Sequence, residues 1–473
     1  MNPPALTYLS ELLPFTPQPI YLVGGSVRDL LIGTQDIKDI DILMPTGSET
    51  VAQHFADTMG GNFFFLDEER KITRVVKQSD GGIFQFDFTN FEGPDLPADL
   101  GRRDFTMNAM ALDLREFIRD RSLGKIIDPF HGREDVTNKL IRVVKPEVLD
   151  EDPLRLLRAV RFASTIGFAI EETTKDHIKS RAALIAKPSP ERIRDEFFQI
   201  LSQRGAGEHL TLMDSLGLLS HILPELDTLT GFSPGRYHIY DVRTHSIKTV
   251  AYVDNVLDDL PTIAPGYAHL VVGHLNEQLE NLLPRKAALR FACLMHDIAK
   301  PETLSQDEEG HIHFYGHDNL GAEKAKETCR RLRLSRDTEA MVATVIKQHM
   351  RLFNLSVPGG PSKNAMHRYC RDLKDALPES LVLAQADARA TYDLMPKEKF
   401  TDTEKPMTAV LEYYYEKFLK VEAKPFVTGN DLIERGLRPG PRFRDILDEI
   451  KERQAAGLLK DRQEALEFID NLK

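Results

Sequence analysis

The sequence predicts an α+β chain: an N-terminal head with a mixed sheet, followed by all-helical regions to the C-terminus. Three observations carry this. Strand signals are confined to about residues 19–130, with helical segments between several of them. From about residue 140 the pattern turns helical and stays so. The 473 residues also allow three or four domains at about 100–200 residues each, every one able to bury a core. The expected division is a head over 1–140, a helical neck over 141–230, a third region over 231–400 and a helical tail over 401–473.

Taken in order, the strands are Ile20–Val23, Asp39–Met44, Gly61–Leu66, Lys71–Val76 and Ile83–Phe88. In Phe84-Gln85-Phe86-Asp87-Phe88-Thr89 the period is two. Three phenylalanines take one face, and Gln85, Asp87 and Thr89 the other. Asp87 therefore sits on the polar face of a half-buried strand, either as solvated surface or as the third carboxylate of a metal site on a neighbouring strand. Further on, Ser189-Pro190-Glu191 starts a helix, with a capping hydroxyl, proline at the first position and an acid near the positive dipole end. Leu260–Gly266 and Ser356–Ser362 are rich in Pro and Gly and predict loops. There is no internal repeat and no low-complexity tail.

Composition narrows the class. A net charge of −12 argues against indiscriminate coating of nucleic acid, which Lys and Arg drive, but allows a local basic cleft. The run Arg155, Arg158, Arg161 is the place to seek one. It alternates with Leu156, Leu157, Val160 and Phe162, as in a helix half in a core and half facing a site. Cys293, Cys329 and Cys370 have no metal or redox spacing and predict buried thiols in a reducing compartment. The start Met1-Asn2-Pro3-Pro4-Ala5 has no basic leader region, and no stretch approaches ~18 apolar residues. A soluble, cytoplasmic protein with no membrane or DNA partner is expected.

Two stretches carry chemistry. Asp39 and Asp41, at i and i+2 on a strand, point to one face. Both can reach a pair of divalent metals about 3.5–4 Å apart, which align an attacking hydroxyl with an α-phosphate. Gly24 and Gly25 upstream let backbone N–H groups approach a triphosphate. An isolated Asp-x-Asp is common on ordinary strands and turns; the glycine turn gives this one its weight. The second stretch, Glu151 to Phe162, opens with two acids and a proline as a helix start. Asp152 and Arg155 at i and i+3 present an acceptor beside a fork of donors, which matches the pairing edge of cytosine or adenine. The bland alternative is a surface salt bridge worth a few tenths of a kcal/mol.

With Arg102-Arg103-Asp104-Phe105-Thr106-Met107-Asn108 and Ser189 to Glu196 added, the motifs resemble, in order, the class II tRNA nucleotidyltransferases: the CCA-adding enzymes and their bacterial poly(A) polymerase relatives. The resemblance implies that Asp39 and Asp41 hold Mg²⁺, with Asp87 the third catalytic acid, and that Gly25, Ser26 and Arg28 meet the triphosphate. Arg103 would sit near the nucleotide and link head to neck. Asp152 and Arg155 would template the base, supported by Arg158 and Arg161. It also implies tRNA and CTP as partners, with ATP as well for full CCA addition. In the family, members that add the final A carry an extended segment before the Arg-Arg-Asp motif. Here only Phe91 to Gly101 intervenes, so the reading leans to CC addition, with full CCA addition as the alternative.

A second set, His245, His296, Asp297, His317, His349 and Asp387, offers imidazole and carboxylate donors together. Their order resembles the HD phosphohydrolase superfamily, implying a divalent transition metal such as Mn²⁺ or Ni²⁺ and a possible phosphohydrolase activity. Buried core histidines are the bland alternative, against which stands the adjacent His296-Asp297 pair in the superfamily's order; a scaffold domain that keeps the ligands with little activity is the weaker reading. Val427 to Leu432 and Gly436 to Pro441, before an amphipathic helix through Lys451, resemble the family's tRNA-gripping tail. Rival readings are an ATP-only poly(A) polymerase, a regulatory enzyme of the PII-uridylyltransferase type, and an HD hydrolase with a dead transferase.

Overall fold

The structure, a computed structural model, describes residues 3–16, 19–121, 123, 125–233, 239–356, 359–393 and 403–471. Met1, Asn2, Val357 and Pro358, which figure in the sequence expectations, lie outside these. The chain divides into two compact units, Met1–Pro188 with Leu216–His221, and Ser189–Ser215 with Ile222–Lys473.

The first unit is built on a seven-stranded mixed sheet: β1 (Tyr21–Val23), β2 (Asp39–Met44), β3 (Asn62–Asp67), β4 (Ile72–Ser79), β5 (Gly82–Asn90), β6 (Ala111–Asp113) and β7 (Ile126–Ile127), in the order β3-β4-β5-β2-β1-β6-β7. Only β2 and β5 run parallel among the sheet's pairs; the others are antiparallel. The five expected strands all form. β4 and β5 extend beyond their expected ends because they make a tight hairpin, Ser79 pairing with Gly82. The short β6 and β7 lack enough residues to show a period and were not legible. Phe84, Phe86 and Phe88 are fully buried, and Phe55 packs edge-on against the last two. Each such burial contributes roughly 1.5–3 kcal/mol, which fixes the β5 register and turns Asp87 to the opposite face.

Beyond residue 140 the chain is not uniformly helical: Leu140–Ile141 and Ala169–Ile170 form a short parallel pair. The expected helix at Glu151 to Phe162 is interrupted. A turn of helix ends at Glu151, Asp152 is extended (φ −136°, ψ 94°), and the long helix is Leu154–Ile166. Its Leu156, Leu157 and Val160 are fully buried and Phe162 nearly so, giving the expected split between core face and arginine face.

The second unit is mainly helical. Ser189 caps helix Pro190–Ser202 with its hydroxyl accepting from the Arg192 N–H. The expected loop at Leu260 is a correction: helix Val242–Ile263 runs through Pro261 and ends only at Ala264. A proline in the last turn forfeits one backbone bond, and that cost is tolerable where the helix is about to stop. At the tail, helix Gly429–Glu434 opens with a Thr428/Asp431 capping box, and helix Pro441–Ala456 continues past Lys451. With Arg462–Asp470 they bury Leu432, Ile446, Ile450 and Ile469 in one cluster. All three cysteines are buried thiols. Among the described residues no helix is long and apolar enough to cross a membrane.

Candidate active site

In the first unit a cavity of about 410 Å³ opens on the polar face of the sheet, lined among others by Gly24, Gly25, Arg28, Asp41, Asp87 and Arg103. β1 delivers the chain to Gly24, whose φ of +63° lies in the left-handed region. A Cβ there would stand 2.9 Å from Asp41 Oδ2 and 3.0 Å from Arg103 Nη1, so glycine is required for both conformation and space. Helix Gly25–Ile32 starts immediately beyond.

Asp41 and Asp87 are direct partners across the parallel β2–β5 pair, with Asp39 two residues before Asp41 on the same face. Burial raises the Asp41 pKa, Arg103 opposes that, and the charges of Asp87 and Asp39 add to it. Partial burial raises that of Asp39, with Arg74 opposing and Asp87 adding. Such a cluster of hard oxygen donors, in which Asp39 and Asp41 are crowded by neighbouring negative charge, fits a small divalent cation such as Mg²⁺. One neighbour was not foreseen: Arg74 on β4 donates Nε to Asp87 Oδ1 at 2.6 Å and Nη2 to Oδ2 at 2.7 Å.

The Ser26 hydroxyl is engaged within the protein, accepting from the Asp41 N–H at 2.8 Å and donating to the Asp39 carbonyl at 3.4 Å. It ties the helix start to β2. Arg28 donates to Asp29 at 2.8 Å and to Asn108 Oδ1 at 2.9 Å. Asn108 passes the contact on, its Nδ2 donating to Asp104 Oδ1 at 3.0 Å, and Arg158 grips Asp104 Oδ2 at 2.8 and 3.0 Å. The guanidinium carbons of Arg28, Arg158 and Arg161 lie 5.2, 5.3 and 4.0 Å from the Phe162 ring centroid. Arg158, Arg161 and Phe162 also line the cavity.

Asp152 and Arg155 are not brought to that lining. Asp152 Oδ1 accepts from the Leu154 N–H at 3.2 Å, and Arg155 Nη1 donates to the Val148 carbonyl at 3.0 Å. The expectation that both share a helical face is corrected, because Pro153 ends the first turn and places Asp152 ahead of the helix. The sequence reading also gave no role to Asn108 or Arg74, and gave Phe162 only a place on the core face of its helix. For Arg74 a signal existed, since it occupies a polar position in the alternating Thr73-Arg74-Val75 strand.

The second unit gathers the other set. His245 lies in helix Val242–Ile263, His317 opens helix His317–Arg331, and Asp387 lies in Leu377–Thr391. His296 and His349 stand just past Arg285–Met295 and Arg336–Gln348. His245 Nε2 is 3.0 Å from Asp387 Oδ1, and His296 Nε2 is 3.2 Å from Asp297 Oδ2. Nδ1 of His296, His317 and His349 each meets a backbone carbonyl at 2.7 Å. This places the proton on Nδ1 and presents the Nε2 lone pair. The Nε2 atoms of His317 and His349 then face each other at 3.3 Å, an arrangement of two acceptors that a cation between them would relieve. His245, His296 and Asp387, and likewise His296, Asp297 and His349, bring one donor atom each within 4.8 Å of the others. The mixed N/O donors fit a borderline divalent metal. Burial and the neighbouring His296 hold His349 down to about 4. Lys300, also unforeseen, sits 2.6 Å from Asp297 Oδ2.

Comparison with known proteins gives a consistent pattern. The family model described as "Poly A polymerase head domain" matches residues 20–142, "Probable RNA and SrmB- binding site of polymerase A" matches 167–229, and "HD domain" matches 243–391. The A-adding tRNA nucleotidyltransferase of Deinococcus radiodurans is 32% identical over 97% of this chain and 96% of its own. The CC-adding tRNA nucleotidyltransferase of Thermus thermophilus is 30% identical over 96% and 94%. In fold, the chain is similar to the Bacillus stearothermophilus CCA-adding enzyme in complex with CTP (TM-score 0.63, 24% identity, 100% and 98% coverage). It is similar also to the Thermotoga maritima CCA-adding enzyme complexed with tRNA (TM-score 0.61, 21% identity, 99% and 95%).

Proposed function

The chain belongs to the tRNA nucleotidyltransferases, and on that footing we propose that it transfers CMP from CTP to the 3′ end of a tRNA and stops after two cytidines. The placement of Asp41 opposite Asp87, beside the Gly24–Gly25 turn, carries the transfer reading. The RNA 3′-hydroxyl oxygen attacks the α-phosphorus; the new O–P bond forms as the bond from that phosphorus to the bridging α–β oxygen breaks, pyrophosphate leaves with that oxygen, and the hydroxyl proton passes to solvent. Asp39 and Asp41 would hold Mg²⁺, which would supply Lewis-acid stabilisation of the attacking and leaving oxygens. Arg28 and Arg103 offset the triphosphate charge, and Arg161, held over the Phe162 ring at the cavity wall, lies beside the base. Asp152 and Arg155 lie outside the cavity lining, so for them to select C and A over G and U the segment before helix Leu154–Ile166 must turn toward the base.

The stop after CC is supported by the segment between β5 and Arg102. It folds on itself, Asp95 capping helix Leu96–Leu100 and Asp99 accepting from the Glu92 N–H at 2.8 Å. That leaves no extended arm of the kind associated with adding A. The 32% identity to an A-adding relative favours a second reading, addition of the terminal A. In either case the neck and tail, 141–230 and 401–473, hold the tRNA, and the protein works in the cytoplasm. The HD centre, with Ni²⁺ or Mn²⁺, acts as a phosphohydrolase.

Incubation with α-labelled CTP and a tRNA lacking its 3′ CCA tests transfer. CMP incorporation should equal pyrophosphate release and vanish when the tRNA ends in a 3′-deoxynucleotide. Release of pyrophosphate without incorporation would contradict the reading.

A further inference from the structure

Arg74, Asp87 and Asp41 form a row across three adjacent strands. Arg74 is the direct partner of Asp87 across β4–β5, and Asp87 of Asp41 across β5–β2. The guanidinium takes Asp87 as a fork, one nitrogen on each oxygen. This is the geometry in which arginine binds a carboxylate most strongly. The pair is largely sheltered, the Arg74 and Asp87 side chains being 29% and 22% exposed. The same guanidinium feels the charges of Asp39 and Asp41.

A metal ion reaching for both oxygens of Asp87 would have to displace this fork. The three acids on the polar face are thus unequal: among the described residues Asp39 and Asp41 have no such arginine fork, whereas Asp87 is already matched to a cation of the protein. Each Asp87 oxygen keeps a further lone pair, enough to accept one hydrogen bond from a hydroxyl.

Resting on the transferase reading above, we infer that Arg74 is a positioning residue: it keeps Asp87 out of metal coordination and reserves it to accept a hydrogen bond from the RNA 3′-hydroxyl. The metals are then confined to Asp39 and Asp41. A lysine at position 74 would keep the charge but lose the fork.

The test is Mn²⁺ binding to the full chain without nucleotide or RNA, followed by electron paramagnetic resonance. Wild type, Arg74→Ala, Asp87→Asn and Arg74→Ala/Asp87→Asn are compared, the HD centre being common to all four. Arg74→Ala should bind Mn²⁺ about fivefold more tightly, the scale of one partly exposed charge contact. The double variant, which removes one charge of each sign, should match wild type, whereas Asp87→Asn alone should bind Mn²⁺ somewhat more weakly because it leaves the Arg74 charge unpaired beside Asp39 and Asp41. In transfer assays Arg74→Ala and Asp87→Asn should raise KM for RNA but not for CTP, with Arg74→Lys intermediate. Unchanged Mn²⁺ affinity in Arg74→Ala, or weakened affinity in the double variant, would overturn the inference. A wild type that adds no nucleotide would defeat the transferase reading, while the Mn²⁺ comparison would still decide what Arg74 does to Asp87.

Discussion

Asp104 and Arg158 join the Arg-Arg-Asp segment to the long neck helix: the Arg158 guanidinium meets Asp104 Oδ2 at 2.8 and 3.0 Å, with the carboxylate buried. Burial alone would push the Asp104 pKa up. Arg158, the Asn108 amide and the Phe105 N–H overcome this and hold it down to about 2. A carboxyl depressed on folding contributes stability that is complete above its unfolded value and is lost as pH falls through the folded one. The contribution, on the order of 2 kcal/mol, should disappear between about pH 4 and pH 2. Denaturant melts of wild type and Asp104→Asn across that window should converge at the acid end.

Removing Arg158 strands the buried Asp104. Arg158→Ala should destabilise the protein by about 3–5 kcal/mol and lower transfer as well, because Asn108 and Arg28 hang on the same chain of hydrogen bonds. Thermal melts with and without CTP separate the two effects.

Asp41→Ala should reduce CMP transfer by roughly 10²-fold or more, the scale seen when one group aimed at developing charge is removed. It should leave the phosphohydrolase activity proposed for the HD centre unchanged. Retained transfer would remove Asp41 from the metal site.

Arg155→Ala should relax the choice of base before it harms the rate. A good two-point contact to a base edge is worth about 1–3 kcal/mol of discrimination, so CTP and UTP should draw together by roughly ten- to a hundredfold in kcat/KM. Unchanged selection would leave Arg155 as the holder of the Val148 carbonyl.

At the HD centre, burial pushes the His296 pKa down, but Asp297 and Asp387 outweigh it and the net shift is upward. A metal takes the neutral ring, so binding must expel that proton. Ni²⁺ affinity should rise with pH through the raised His296 value and then level off. Calorimetry in buffers of different ionisation enthalpy reads the proton released.

What was legible in the sequence was periodic or punctuated. Phe84, Phe86 and Phe88 announced the face of Asp87, the Gly24–Gly25 turn announced a close approach, and Ser189-Pro190 announced a helix start. The chain order of the HD residues was legible as well. Contacts between strands with no shared motif, such as Arg74 with Asp87, were not, since register is set by pairing across the sheet. Asp152 misled because its i,i+3 spacing to Arg155 presumed a continuous helix, while Pro153 breaks it.

The most direct test supplies the purified protein with Mg²⁺ and a radiolabelled tRNA ending at the discriminator base, giving CTP alone, ATP alone or both, and sizes the products at single-nucleotide resolution. The account predicts two additions with CTP and no third when ATP is present. A third nucleotide with both substrates, or addition of A to a tRNA already ending in CC, would contradict it.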